Sequence, residues 1–520
     1  MKFVDYSAYQ KLKKLAKTPP DLTQHVVFNT NRIVNMSLSA CSWKLLYSTE
    51  RVNEDIKNYL CQLALEANVY EKMYNMQNMK VMNFVNGVKS EERAVGHTAI
   101  RSLNSINDFS SEAIINVSKL YRNELEKLKI FLSKLNQIST IVVVGIGGSY
   151  LGINAIYNAY KVHSKNNRRL MFISSVDSDD ALSLLKEIDM KSTIVAVISK
   201  SGTTIEIKSQ QELFRKKFEA KGFNSKKHFV AITSPGSEID NRSNYCEVFY
   251  VWDFIGGRYS LSSMVGALPL AFVFGIDMWM SFLDGMHDMD VHALTEKDPT
   301  KNLPLFGALL GIWNRNFLNY SSYAVIPYSQ CMHQYSLHLQ QLFMESNGKS
   351  TLQNDSSLIT WSTSPIVFGT VGTQCQHSYF QAVHQGTEII PIEFIGFRES
   401  QLECDDIIDG TTNQKKLTVN MFAQSLALAR GKYNANNNKY FSGNRPSHIL
   451  ISDKLDAYSI GNLLAYHEHY AVYQGWIWGI NSFDQEGVEL GKALANDMLN
   501  ICNGKIISSD EIIATLLHEL

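Results

Sequence analysis

One strand and the loop that leaves it constrain this chain more than any other feature. Ser192-Thr193-Ile194-Val195-Ala196-Val197-Ile198 is a β-branched apolar run of the kind that lies buried on both faces in a parallel sheet. It runs without a break into Ser199-Lys200-Ser201-Gly202-Thr203-Thr204, which packs four hydroxyls, a cation and a glycine into one turn. Glu206 to Phe214 then has helical character, so the backbone N–H groups of that first turn would face whatever the loop holds. Gly202 permits close backbone approach or positive φ, and Ser and Thr hydroxyls donate to anionic oxygens without adding charge. The same residue types cap helices, so this loop alone reads equally as a phosphate cradle or as an ordinary helix start.

A second loop of similar design favours the cradle. Ile141-Val142-Val143-Val144 runs into Gly145-Ile146-Gly147-Gly148-Ser149, followed by Leu151, Gly152 and the helical-looking Ile153 to Ile156. The turn is like the opening of a dinucleotide fold, but no acidic residue closes the next strand. Leu170-Met171-Phe172-Ile173 is followed by Ser174-Ser175-Val176-Asp177, with the carboxylate several residues late. That reads against a nicotinamide cofactor. Two neighbouring strand-to-loop anion cradles suggest a sugar phosphate.

The rest of the chain says where such a site would sit. With 520 residues and 45% hydrophobic content the chain can bury a large core and divide into more than one domain. A net charge of −1 offers no basic field for nucleic acid or an anionic membrane, so any anion must be captured locally. The start lacks an apolar signal core, and the longest apolar stretch, Met264 to Leu283, contains Pro269 and Asp277 and reads as buried helix. Seven scattered cysteines without a Cys-x-x-Cys pair imply free thiols and a cytoplasmic protein. His467-Glu468-His469, and His333 with His338, lack zinc-ligand companions, so no metal is expected.

Periodicity divides the chain into an N-terminal helical arm, residues 1–135, a first α/β domain, 136–285, and a second, 286–520, ending in helices. Strand signals recur at His228 to Thr233 and Val248 to Val251, then at Ser322 to Tyr328, Glu388 to Phe394 and His448 to Ile451. The expected fold class is α/β, with two doubly wound, parallel-rich sheets.

Five further blocks carry a specific resemblance. Asp253-Phe254-Ile255-Gly256-Gly257-Arg258-Tyr259-Ser260-Leu261-Ser262 and Phe483-Asp484-Gln485-Glu486-Gly487-Val488-Glu489-Leu490-Gly491-Lys492 resemble the two long signatures of the glucose-6-phosphate isomerase family. Met344-Glu345-Ser346-Asn347-Gly348-Lys349, Gln376-His377 with His384-Gln385-Gly386-Thr387, and Glu92-Arg93-Ala94-Val95-Gly96-His97-Thr98 resemble further family blocks in the expected order, as do the two loops above. The match runs from Glu92 to Lys492.

This resemblance implies two sugar-isomerase (SIS-type) domains and reversible conversion of glucose 6-phosphate to fructose 6-phosphate, without cofactor or metal. It implies Glu345 as the base serving C2 and C1 through a cis-enediolate, and Arg258 as the cation for the enediolate oxygens. Glu345 follows the helical-looking Tyr335 to Leu342 and precedes an Asn347-Gly348 stop. The resemblance further implies His384 and Lys492 in ring opening, with His384 supplied by the neighbouring subunit of an obligate homodimer. Gln341 and Gln485 would hydrogen-bond the substrate. Gly148, Ser149, Ser199, Lys200, Ser201, Thr203 and Thr204 would hold the phosphate or the adjoining sugar.

The chain departs from the family pattern at Tyr150 and Phe343, where acidic residues are usual, at Gln374 and Cys375, and at Glu486 in place of a tryptophan. None removes a catalytic group. Cys375, beside the expected site, would make activity sensitive to thiol modification. Two rival readings are a sugar-phosphate sensor without catalysis and an isomerase that also accepts mannose 6-phosphate. A sensor could dispense with the base, and no basic helix-turn-helix pattern for reading DNA stands out.

Overall fold

The computed structural model describes residues 2–103, 111–165, 167–402, 404–506 and 510–519. It forms one body, Met1–Ser482, and a separate C-terminal segment, Phe483–Leu520.

In the body, Thr193–Ile198 is the centre of a five-stranded parallel sheet. The order across it is Arg169–Ile173, Thr140–Val144, Thr193–Ile198, Phe229–Thr233, Glu247–Tyr250. Thr140–Val144, Thr193–Ile198 and Phe229–Thr233 are buried at every position, as their unbroken apolar runs require in a sheet covered on both faces. Each fully buried aliphatic side chain among them contributes roughly 1.5–3 kcal/mol. Phe214 and Phe218 of the Ile205–Ala220 helix seal one face against Val195, Val197 and Phe229. The winding reverses between Thr140–Val144 and Thr193–Ile198, and a doubly wound sheet opens a ligand crevice at the C-terminal ends of such a pair. Val144 is paired with Val197, so the two predicted loops leave the sheet side by side.

A six-stranded sheet carries the second half, in the order Ser37–Ala40, Trp43–Leu46, Ser447–Ser452, Ile392–Phe397, Ser322–Pro327, Ile366–Phe368. Its last four strands are parallel, and the first two form an antiparallel hairpin added to Ser447–Ser452. The hairpin lies in the stretch read as helical arm. Its strands are four residues long with Lys44 between Trp43 and Leu45, too short for periodicity to reveal. The ladder of the Glu388-to-Phe394 run begins only at Ile392, because Pro391 has no N–H to pair and offers its carbonyl alone to Ala324 N.

The apolar stretch from Met264 becomes two helices, Met264–Phe274 and Ile276–Thr295, the first buried throughout. Among the described residues no helix is long and apolar enough to cross a membrane. Ala457–Trp478, capped reciprocally by Asp456 and Ser459, is buried along nearly its whole length and packs along Ile276–Thr295. Its His467-Glu468-His469 triplet belongs to the core, where His467 Nε2 meets Glu393 Oε1 at 2.6 Å and His469 Nε2 meets Asp290 Oδ1 at 2.7 Å. Among the described residues no cluster of three or more His, Cys, Asp or Glu could hold a metal ion.

The C-terminal segment holds a short 3-10 turn, Glu486–Val488, and the helices Glu489–Cys502 and Glu511–Leu517.

Candidate active site

The site grows from the two loops at the switch point. In the first, Gly148 lies so close to the turn before Arg258 that a Cβ there would stand 2.0 Å from Gly257 O, so only glycine lets the two backbones meet. Ser149 N closes the turn onto Ile146 O at 3.1 Å. Gln341 lies beside the same loop: a Cβ at Gly147 would come within 3.0 Å of its Nε2. Gln341 Oε1 is buried and has no hydrogen-bond partner among the described residues.

The second loop keeps its shape with its own hydroxyls. Gly202 takes φ +72°, its N–H donates to Ser199 Oγ at 3.1 Å, and Ser201 Oγ lies 2.7 Å from Thr203 Oγ1. Ser199 is buried and serves the loop, whereas Ser201 and Thr203 are exposed. Thr204 opens the Ile205–Ala220 helix without a side-chain cap, which leaves the first-turn N–H groups directed at the crevice. Lys200, expected on the phosphate, instead donates to Asp253 O at 2.9 Å and Ile255 O at 3.2 Å. It thus ties the loop to the segment that carries Arg258. Burial, reinforced by nearby Arg93, holds its pKa below that of an ordinary lysine.

Arg258 is the best-fixed charge of the site. It is 2% exposed; Nε donates to Ser346 Oγ and Nη2 to Ser482 O, both at 2.6 Å. Its Nη1 lies 3.6 Å from Glu345 Oε1. Glu345 is on the continuation of the Tyr335–Gln340 helix, in a π-helical turn over Gln341–Glu345. Such wide turns recur at functional sites, since they turn side chains off the regular helical path. The turn places Gln341 and Glu345 on one segment, and Asn347 anchors the exit by donating to Ala471 O at 2.8 Å. Gly148, Gln341, Arg258 and Glu345 are therefore gathered at one mouth.

His384 lies elsewhere in the body. His384, on the Phe380–Gln385 helix, sits between the Phe380 and Phe441 rings with Nε2 2.9 Å from Gln424 Oε1. Burial lowers its pKa, so the ring is neutral near pH 7. Lys492 lies on the C-terminal segment, exposed on its helix with Nζ 2.7 Å from Glu489 Oε1. Gln485 precedes the 3-10 turn of that segment.

The departures have local explanations. Phe343 is buried against the rings of Tyr323, His467 and Tyr470, a place unsuited to a carboxylate. Tyr150 packs on Phe172 and accepts from Asn154 Nδ2 at 3.0 Å. Gln374 Nε2 reaches Gln330 Oε1 at 3.3 Å. Cys375 corrects the expected reactivity: it is fully buried, its thiol donates to Gly372 O at 2.8 Å, and burial pushes its pKa up to about 12. A thiol held protonated there is a poor nucleophile.

Sequence reasoning gave no role to Ser346, Tyr259 or Ser482, which grip the guanidinium. Ser346 is adjacent to Glu345 and Tyr259 to Arg258, and those adjacencies are the available signals.

The chain is similar to known proteins along most of its length. A family model described as phosphoglucose isomerase matches residues 46–515. The glucose-6-phosphate isomerase of Protochlamydia amoebophila (strain UWE25) is 48% identical over 502 residues, covering 96% of this chain and 93% of the relative. That of Chlamydia muridarum (strain MoPn / Nigg) is 45% identical over 503 residues, covering 96% and 95%. The crystal structure of a glucose-6-phosphate isomerase from Chlamydia trachomatis D/UW-3/Cx superposes with a TM-score of 0.96 at 44% identity, covering 100% of this chain and 99% of that one.

Proposed function

The chain belongs to the phosphoglucose isomerase family, and on that premise we propose that it interconverts glucose 6-phosphate and fructose 6-phosphate. The observation that carries the reading is the pairing of a rigidly held Arg258 with Glu345, 3.6 Å away, at the mouth of a crevice edged by two anion loops.

The phosphate is held by the Ser201, Thr203 and Thr204 hydroxyls and the first-turn N–H groups of Ile205–Ala220, with Ser199 and Lys200 fixing the loop. Gly148, Ser149 and Gln341 face the sugar, joined by Gln485. Ring opening takes a proton from the anomeric hydroxyl and gives one to the ring oxygen, the work of His384 and Lys492. His384 comes from the second subunit of a homodimer; its place between Phe380 and Phe441, apart from the Arg258 and Glu345 cluster, supports that reading.

Glu345 then removes the C2 proton. The C2–H electron pair forms the C1=C2 bond and the carbonyl pair moves onto O1, where Arg258 stabilises the negative charge. A proton passes from O2 to O1, and Glu345 returns its proton to C1 as the O2 carbonyl forms. The seven cysteines, all free thiols in this structure, support a reducing, cytoplasmic setting.

The test is conversion of fructose 6-phosphate by the purified full chain, with chelator and no added nucleotide. Glucose 6-phosphate formation at enzymatic rates supports the proposal. Sugar-phosphate binding without conversion would replace it with the sensor reading.

A further inference from the structure

Behind Arg258 lies a side chain that the chemistry above leaves unused. His97 is fully buried, and its ring stacks on Tyr259 with centroids 4.8 Å apart and planes 25° apart. Neither ring nitrogen has a hydrogen-bond partner among the described residues. Leaving buried polar atoms unmet is costly. What this imidazole supplies is therefore a face, not a hydrogen bond. Burial, with Arg101 and His469 adding to it, holds its pKa well below the usual value, so the ring puts no second positive charge behind the arginine.

Tyr259 is the next link. Its hydroxyl lies 2.8 Å from Ser346 Oγ, the atom that receives Arg258 Nε at 2.6 Å. The guanidinium carbon is 5.4 Å from the centre of the same tyrosine ring, and Nη1 lies 3.6 Å from Glu345 Oε1. His97, Tyr259 and Ser346 thus form a continuous buried stack that ends on the guanidinium.

We propose that His97 is a positioning residue for the isomerisation: its face fixes the Tyr259 ring, Tyr259 fixes Ser346 Oγ, and Ser346 fixes the direction in which Arg258 meets the oxygen that becomes negative. The inference rests on the isomerase reading above. A donor turned away from its acceptor loses most of a charge-assisted hydrogen bond, and this bond is strongest in the transition state. Phosphate binding, made by other groups, is untouched. The effect therefore falls on kcat and leaves KM alone.

The experiment measures kcat and KM for fructose 6-phosphate in wild type, His97→Ala, His97→Phe and Tyr259→Phe. It also measures affinity for a hydroxamate that mimics the enediolate and for an unreactive acyclic polyol phosphate. His97→Ala and Tyr259→Phe are expected to lower kcat about 10- to 100-fold with KM within about twofold of wild type. His97→Phe keeps an aromatic face without nitrogens and is expected within about threefold of wild-type kcat. Hydroxamate affinity falls in step with kcat, while polyol phosphate affinity holds.

Wild-type kcat in His97→Ala overturns the proposal. So does a His97→Phe as impaired as His97→Ala, or a parallel loss of both affinities. If His97→Ala does not fold, Tyr259→Phe decides, and unchanged kcat there overturns the proposal. A wild type that does not convert the sugar phosphate removes the isomerase reading itself, whereas an active wild type with unimpaired variants removes only the positioning role.

Discussion

Two buried arginines divide the labour of this molecule. Arg101 is wholly enclosed and closes on two carboxylates, Asp290 at 3.0 Å and Glu468, with His469 bonded to the same Asp290. Arg258 is as deeply buried, yet it is held by a serine hydroxyl and a backbone carbonyl, while its carboxylate neighbour Glu345 stands 3.6 Å off and is partly exposed. Direct pairing spends the Arg101 charge on holding helices together. A serine hydroxyl and a backbone carbonyl fix the direction in which Arg258 meets Glu345. The same residue type is thus cement in one place and instrument in the other.

The comparison breaks first if the two arginines respond alike to removal. Arg101→Met strands two buried carboxylates and is expected to lower unfolding stability by about 3–5 kcal/mol, read from urea denaturation. Arg258→Met is expected to destabilise less, but to lower kcat/KM by about 100-fold or more, read in a coupled assay of fructose 6-phosphate conversion.

A pH profile sharpens the structural half. Burial alone would depress His448, but its bonds to Glu393 and Glu50 outweigh that cost and hold its pKa up at about 9. Its folded pKa lies above the unfolded value near 6.5, so its stabilisation is complete below that value and is lost as pH rises through 9. Wild type is expected to lose on the order of 3 kcal/mol more than His448→Gln between pH 6 and pH 10. The smallest effect concerns the thiol: alkylating the native protein is expected to spare Cys375, and Cys375→Ser is expected to retain wild-type turnover, checked by mass spectrometry and the same assay.

The first sheet was legible in the sequence because parallel strands covered on both faces read as near-continuous apolar runs, as residues 141–144 and 194–198 do. The hairpin of Ser37–Ala40 and Trp43–Leu46 was not, since it is stabilised by pairing with Ser447–Ser452, some 400 residues away, and not by local pattern. Glu345 and Arg258 were named from motifs and lie together. The partners of Lys200 were not foreseeable, because a lysine after a strand carries no mark that tells an anion from the Asp253 and Ile255 carbonyls. His97 stands inside the Glu92-to-Thr98 block with nothing local to mark its role, for only the fold brings its face against Tyr259. Cys375 looked exposed to chemistry because it neighbours the site in sequence, whereas burial is a property of packing.

The measurement that bears most directly on this account is kcat for fructose 6-phosphate in Glu345→Gln, with sugar-phosphate affinity measured on the same sample. The account predicts a loss of about 10³-fold or more in kcat with affinity kept, because glutamine preserves the shape beside Arg258 but cannot accept the C2 proton. Turnover within about tenfold of wild type in a variant that still binds would contradict it, and would require another group to carry the proton between C2 and C1.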